Sequence, residues 1–143
     1  MLDPVSINGE EPSLVGQPCE ELLASEYWYE GGLVEPANVI YLRFAGAWHR
    51  LYFDFGIVFW RPHDRAPEPV PPISDGVAYP LVDLGRQFKI QGVVLNRLKA
   101  EPVEGGSEVR LEFDNRVLLV FSCIDDTTTY RAEPATASDW ANG

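Results

Sequence analysis

The sequence predicts a mainly β domain of two repeated antiparallel β-meanders, packed as a sandwich or joined in one continuous sheet. Three observations predict it: β-branched and aromatic runs, a hairpin motif that occurs twice, and a proline-rich segment between the copies. Residues 50–58 read RLYFDFGIV and residues 110–118 read RLEFDNRVL. The 143 residues fit one domain, with repeat units at about 14–61 and 84–131 joined by a strap at 62–80.

The first copy predicts three strands. Val39–Phe44 and Trp48–Phe53 are rich in β-branched and aromatic residues, and a short Gly-containing loop separates them. Asp54-Phe55-Gly56 predicts a turn, because Gly readily adopts the left-handed conformation. Ile57–Trp60 is apolar on both faces, which is typical of a central, buried strand.

The second copy repeats this plan. Gly92–Leu98 and Val109–Phe113 match the first two strands, with a longer loop at residues 99–107 between them. Asp114-Asn115-Arg116 predicts the next turn, with Asn115 at positive φ because Asn tolerates it better than most residues. Val117–Phe121 is again apolar on both faces and predicts a buried strand.

The segment at residues 18–30 is present in the first copy alone. Pro18 at a first helical position, acidic residues after it, and glycines following residue 30 predict a short helix. The aromatic run Tyr27-Trp28-Tyr29 suits a strand as well, so both interpretations stay open.

Proline and polar residues fill the connections. The strap contains Ala66–Pro72, which favours an extended polyproline conformation because proline cannot donate ladder hydrogen bonds. Residues 132–143 are mostly small and polar and predict a flexible tail.

Charge is distributed unevenly along the chain. The net charge is −11, and eight acidic residues precede the first basic residue, Arg43. Such a field repels phosphate and argues against direct nucleic-acid binding. It would instead attract a basic protein partner.

No motif for catalysis, cofactor binding or metal binding is present. His49 and His63 have no partner at a metal-ligand spacing, and Cys19 and Cys123 form no Cys-x-x-Cys pair, which predicts two buried free thiols. We therefore predict no catalytic residue, no metal and no cofactor, and favour a binding protein over an enzyme. The N-terminus lacks an apolar run typical of a signal peptide and no stretch is long enough to span a membrane, so we expect a cytoplasmic protein.

The two hairpins and the polar stretch Asp125–Tyr130 resemble small uncharacterised bacterial β-rich proteins, some of them similar to immunity proteins that neutralise polymorphic toxins. The resemblance covers residues 14 to 131. It implies a non-enzymatic cytoplasmic binder and assigns no functional residue.

We therefore predict a protein-interaction module, most concretely an immunity-type inhibitor that binds a basic toxin through its acidic N-terminal region. Two other functions stay open: a small-molecule-binding protein or enzyme with a pocket between the two β units, and a homodimeric structural protein. The predicted partner-binding residues are acidic or aromatic: Glu20, Glu21, Glu26, Tyr27, Trp28, Tyr29, Glu30 and Phe55.

Overall fold

The computed structural model describes residues 2–69 and 76–136, most of which lie in strands. The elements in chain order are β1 Ile7–Asn8, β2 Cys19–Tyr29, β3 Gly32–Phe44, β4 Ala47–Asp54, β5 Ile57–His63, β6 Val77–Ala78, β7 Leu81–Asp83, α1 Leu84–Gln87, β8 Leu95–Val103, β9 Gly106–Phe113, β10 Val117–Ile124 and β11 Thr127–Pro134. In the described part of the chain no helix is long and apolar enough to cross a membrane.

Two sheets pack together, as the repeated hairpins predict. The first has the strand order β1-β5-β4-β3-β2-β6, with β7 also paired to β2, and the second has the order β11-β10-β9-β8. All pairings are antiparallel except that of β1 with β5. Each sheet thus contains one antiparallel meander, and the prediction of a mainly β fold is confirmed.

The core lies between the two sheets. Successive residues of a strand point to opposite faces, so one face of each sheet supplies the buried set. Leu51 and Trp60 come from the first sheet, and Leu111 and Phe121 come from the second; all four are almost completely buried. Both cysteines are buried free thiols, which confirms that prediction.

A corner joins the two sheets. The N–H of Cys19 donates to the carbonyl of Val93 at 2.9 Å, and the N–H of Gly92 donates to the carbonyl of Cys19 at 2.6 Å. The N–H of Leu95 donates to the carbonyl of Gln17 at 3.0 Å. The start of β2 is therefore connected by hydrogen bonds to the start of β8.

The helix predicted at residues 18–30 is wrong, because this segment forms β2. It pairs with β3 along most of its length and with β6 and β7 on its other side. Leu22 and Ala24 both point into the core, which is the period of a strand. Two partner edges satisfy the backbone of β2, so pairing overrides the helix signals at Pro18 and Gly31.

β5 is not the central, buried strand that its apolar sequence predicts. It lies beside the two-residue β1 near the edge of the first sheet. Its inner face is buried, whereas Phe59 stacks on Tyr52 on the outer face, with ring centroids 5.0 Å apart. Its counterpart β10 is central and buried on both faces, as predicted.

Two loop predictions for the second copy are also wrong. Residues 99–103 and 106–107 belong to β8 and β9, so the turn contains only Glu104 and Gly105. The positive φ in the following turn is at Arg116, with φ 66°, and not at Asn115.

The connections are partly described. The strap links β5 to β6 within the first sheet. Its residues 70–75 lie outside the described residues, and they include the last part of the predicted polyproline stretch. Asp83 caps α1 by accepting the N–H of Arg86 at 3.0 Å. β11 includes residues 132–134 of the predicted tail, and residues 137–143 lie outside the described residues.

Candidate functional site

The eight residues predicted to bind a partner do not form one surface. Glu20 and Glu21 begin β2, whereas Tyr29 ends it, so at roughly 3.3 Å per residue Glu21 and Tyr29 lie about 25 Å apart. Glu21 pairs with Arg43 at 3.2 Å, and Glu20 accepts the N–H of Gly46 at 2.5 Å. Both glutamates thus bind groups at the β3–β4 hairpin.

The next three residues also have partners within the chain. The indole Nε1 of Trp28 donates to Glu26 at 2.9 Å, and Tyr27 stacks on Tyr79 with ring centroids 5.4 Å apart. Burial, and then the nearby charge of Glu26, raise the pKa of Tyr130. Glu26 and Trp28 therefore bind each other within β2, and Tyr27 packs against the segment that follows β6.

Tyr29 and Glu30 lie at the tip of the β2–β3 hairpin. Tyr29 is exposed there, together with Leu33 and Val34 on the following strand. Farther along β3, Glu35 accepts the N–H of Thr128 at 2.7 Å. That hydrogen bond joins β3 to β11 just after the β10–β11 turn.

Phe55 is the most exposed large hydrophobic residue among those described, with 83% of its surface open to solvent. It has φ 50° and Gly56 has φ 75°, so both residues of the β4–β5 turn are left-handed. Gly and Asn are the usual residues at such positions, and a bulky side chain there is strained. Glu30 and Ala45 have the same conformation before a glycine in the other two turns of this sheet, so Phe55 differs from them by its exposed aromatic ring and not by its backbone.

The β4–β5 turn is held against the second sheet. The N–H of Phe55 donates to Oδ1 of Asp126 at 3.2 Å, and the hydroxyl of Ser107 donates to the carbonyl of Gly56. Two contacts from different hairpins therefore fix the backbone that carries the Phe55 side chain.

Four segments meet around Phe55: residues 2–6, 54–57, 102–107 and 124–127, which we name the turn-end face. A groove of about 230 Å³ runs between the first three segments. Leu2 and Ile124 are exposed beside it. The four segments contain five exposed acidic residues and no Lys, Arg or His; the acids are Asp3, Asp54, Glu104, Asp125 and Asp126.

Sequence reasoning identified Phe55 but missed the rest of the turn-end face. Asp126 stands 71 positions from Phe55 in the chain, and nothing in the local sequence shows that their turns meet. The available signal was the two consecutive aspartates, Asp125 and Asp126, because a turn there places two carboxylates at a hairpin tip.

A second cavity lies at the opposite end of the β4–β5 hairpin. It has a volume of about 690 Å³ and separates the N-terminal segment 9–13 from β4 and β5; we name it the arm cleft. Burial raises the pKa of Glu11 and lowers the pKa of His49, and both residues line this cleft. The arm cleft is lined by residues of the first sheet and of the segment before it, so it is not the predicted pocket between the two β units; the groove beside Phe55 has residues of both units in its lining.

Burial acts on both cysteine thiols. Burial, followed by the charges of Asp83, Glu20 and Glu21, raises the pKa of Cys19 to about 12. Burial also raises the pKa of Cys123. Among the described residues, no group of three or more His, Cys, Asp or Glu is placed to hold a metal ion.

Comparison of the chain with protein-family models, with curated proteins and with solved structures finds no match in any of the three.

Proposed function

We propose that this chain is a protein-interaction module that binds a basic partner through the turn-end face. The observation that carries the proposal is Phe55, an aromatic side chain displayed to solvent by a strained turn whose backbone is fixed by hydrogen bonds. Aromatic anchors near the centre of an interface contribute much of the binding energy. A fixed anchor binds more tightly than a mobile one because less conformational entropy is lost on binding.

The charge around Phe55 indicates the chemistry of the partner. Five acidic residues surround an apolar centre, and no basic residue in the four segments neutralises them. The net charge of −11 adds a long-range attraction for a basic protein. The partner we propose therefore has an apolar pocket for Phe55 bordered by Lys or Arg.

The hairpin tip extends this surface. Tyr29, Leu33 and Val34 are exposed, and Glu35 connects their strand to the β10–β11 turn. Of the eight residues predicted from sequence, Tyr29, Glu30 and Phe55 remain in the proposed interface. Glu20 and Glu21 are left out because Arg43 and the Gly46 amide already occupy their carboxylates.

The most concrete form of the proposal is an immunity-type inhibitor that covers the active surface of a basic toxin. The product of the gene adjacent to this chain's gene is the first partner to test. Expressed alone it should arrest growth, and co-expression of this chain should restore growth. A harmless neighbour, or a toxic one that this chain does not neutralise, would contradict the immunity form.

The interface itself is tested with Phe55→Asn, which keeps a residue that accepts positive φ while removing the aromatic ring. We expect the dissociation constant for the identified basic partner to rise at least about 10-fold, equivalent to about 1.4 kcal/mol. Val15→Asn is the matched control, because Val15 is exposed in another turn of the chain. Equal affinities of Phe55→Asn and the parent would exclude the turn-end face.

Self-association is distinguished by sedimentation over a range of protein concentrations. We expect a monomer at every concentration. A dimer that Phe55→Asn dissociates would assign the turn-end face to contact between two copies and overturn the proposal of a basic partner.

A further inference from the structure

The arm cleft is separate from the turn-end face and has walls of opposite character. Glu10, Glu11 and Ser13 line the side formed by the N-terminal segment. His49 and Arg61 line the side formed by β4 and β5. Its volume of about 690 Å³ lies within the roughly 300–1,000 Å³ of typical small-molecule sites.

Arg61 is held in place without losing its charge. Its guanidinium donates to the side-chain oxygen of Asn8 at 2.5 Å, to the Asn8 carbonyl at 3.1 Å and to the Trp60 carbonyl at 2.8 Å. All three acceptors are neutral oxygens, and no described carboxylate lies within ion-pair distance of Arg61. Its positive charge is therefore available to an anionic group.

Trp60 adds an unsatisfied donor to the same region. Its side chain is only 1% exposed, it lines the arm cleft, and its indole N–H has no acceptor among the described residues. Because this nitrogen is closed to solvent, a ligand in the cleft would act on Trp60 through packing and not through a hydrogen bond to its N–H.

Gly9 allows the N-terminal segment to lie directly against β5, and this close contact shapes the cleft. A Cβ added at Gly9 would collide with the carbonyl oxygen of Trp60 and with Nη1 of Arg61. Gly9 also has φ 93°, which side chains rarely adopt. This position thus fixes the acidic wall at its distance from the donor wall.

We propose that the arm cleft binds a small zwitterion, an apolar α-amino acid or a dipeptide, with its ammonium at Glu10 and Glu11 and its carboxylate at Arg61. Pro12 and Pro62 offer apolar contact to the ligand's side chain. The two walls differ in exposure: Glu10 and Glu11 are exposed, whereas His49 on the opposite wall is half-buried and burial lowers its pKa.

The test is a titration with L-leucine, followed through the indole N–H resonance of Trp60 in a nitrogen-15 NMR spectrum. The chain has four tryptophans, so Trp60→Phe identifies this resonance by its loss. We expect a saturable shift with a dissociation constant below about 1 mM. No shift with leucine, phenylalanine or dileucine up to that concentration overturns the proposal.

Two ligand analogues test the two walls separately. Leucinamide lacks the carboxylate and N-acetylleucine lacks the ammonium, and each should bind at least 10-fold more weakly than leucine. Glu11→Gln, at an exposed position, should weaken the binding of leucine but leave the binding of N-acetylleucine unchanged. Arg61→Gln should weaken the binding of leucine but leave the binding of leucinamide unchanged. Equal binding of leucine and both analogues would show that the charged walls do not select the ligand and would overturn the proposal.

Phe55→Asn serves as the control that separates this site from the turn-end face. It should bind leucine as the parent does, because Phe55 does not line the arm cleft. Loss of leucine binding in this variant would contradict the separation of the two sites.

Discussion

The two copies of the hairpin motif have equal spacing in sequence, yet their strands pair in different registers. In the first copy Val58 pairs with Phe53. The matched residue of the second copy, Leu118, pairs with Glu112 instead of with Phe113. The first hairpin therefore closes with a two-residue turn, and the second closes with a three-residue turn.

This difference of one residue in turn length means that matched side chains in the strand after the turn point to opposite faces of their sheets. Val58 points into the core with Phe53, whereas Leu118 points to the outer face with Glu112. The second copy tolerates the reversal because β10 is apolar on both faces: Leu119 and Phe121 fill the core, and Leu118 is buried on the other side. A hairpin can thus be repeated in sequence without repeating which residues enter the core.

The turns themselves contradict local preference. Phe55 is left-handed, whereas Asn115, which tolerates that conformation far better, is not. Long-range partners decide the outcome: Asp126 holds the amide of Phe55, and the side chain of Asn115 donates to the carbonyl of Lys89 at 3.0 Å. The second turn is tied into the fold, and the first displays its side chain to solvent.

The largest expected effect is common to both copies. Leu51 and Leu111 are matched and fully buried, so replacing either with Ala should lower the free energy of unfolding by about 2–5 kcal/mol. Urea denaturation measures both variants. A loss below 1 kcal/mol in only one of them would mean that the two copies do not share one core.

The next prediction separates the two registers. Ile57 and Val117 are matched, but Ile57 pairs with Asp54 on the outer face, whereas Val117 packs against the core. Val117→Lys should therefore lower the free energy of unfolding by about 2 kcal/mol more than Ile57→Lys, because the ammonium would enter an apolar site. Equal losses in urea denaturation would argue against the register difference.

The turn residues should respond in opposite directions. Asn115→Ala should destabilise the protein by about 1 kcal/mol, because it removes the hydrogen bond to Lys89. Phe55→Asn should stabilise it by about 0.5 kcal/mol, because Asn-Gly is the preferred pair for a left-handed two-residue turn. Thermal denaturation under identical buffer conditions gives both signs, and two changes of the same sign would refute this account of the turns.

The smallest expected effect concerns His49, which matches the buried Val109 in the second copy. Burial lowers the pKa of His49, so the unfolded chain binds more protons than the folded one just below pH 6.5. Stability should fall as the pH decreases through that range, and His49→Val should remove this part of the loss. Unfolding measured from pH 7.5 to pH 5.5 tests it, and the same pH slope in both proteins would exclude a contribution from His49.

The sequence was most informative about the existence of individual strands. The runs at β4, β9 and β10 predict strands correctly: β4 and β9 alternate with a period of two, and β10 is an apolar run on both faces. It was misleading at β2, where helix signals at both ends gave way to pairing on two edges. Edge and central strands also cannot be distinguished locally, since β5 and β10 have the same apolar pattern.

The candidate site was predicted in part for the same reason. Phe55 stands out because a bulky residue precedes the glycine of a hairpin turn. Its neighbours Leu2, Ser107 and Asp126 come from three other parts of the chain. Local patterns contain no information on which turns meet at one end of a sandwich.

The late partners of β2 determine when the first sheet and the corner between the two sheets can form. β2 lies near the start of the chain, yet it takes hydrogen bonds from β6, β7 and residues 92–95. The first sheet therefore cannot be completed until β7, which ends at Asp83, has left the ribosome, and the corner cannot form until residue 95 has followed. Pairing between segments so distant in sequence is slow to form, and β proteins of this type fold in about milliseconds to seconds. During synthesis β2 has an unpaired edge, which is the stage at which the chain is most exposed to aggregation.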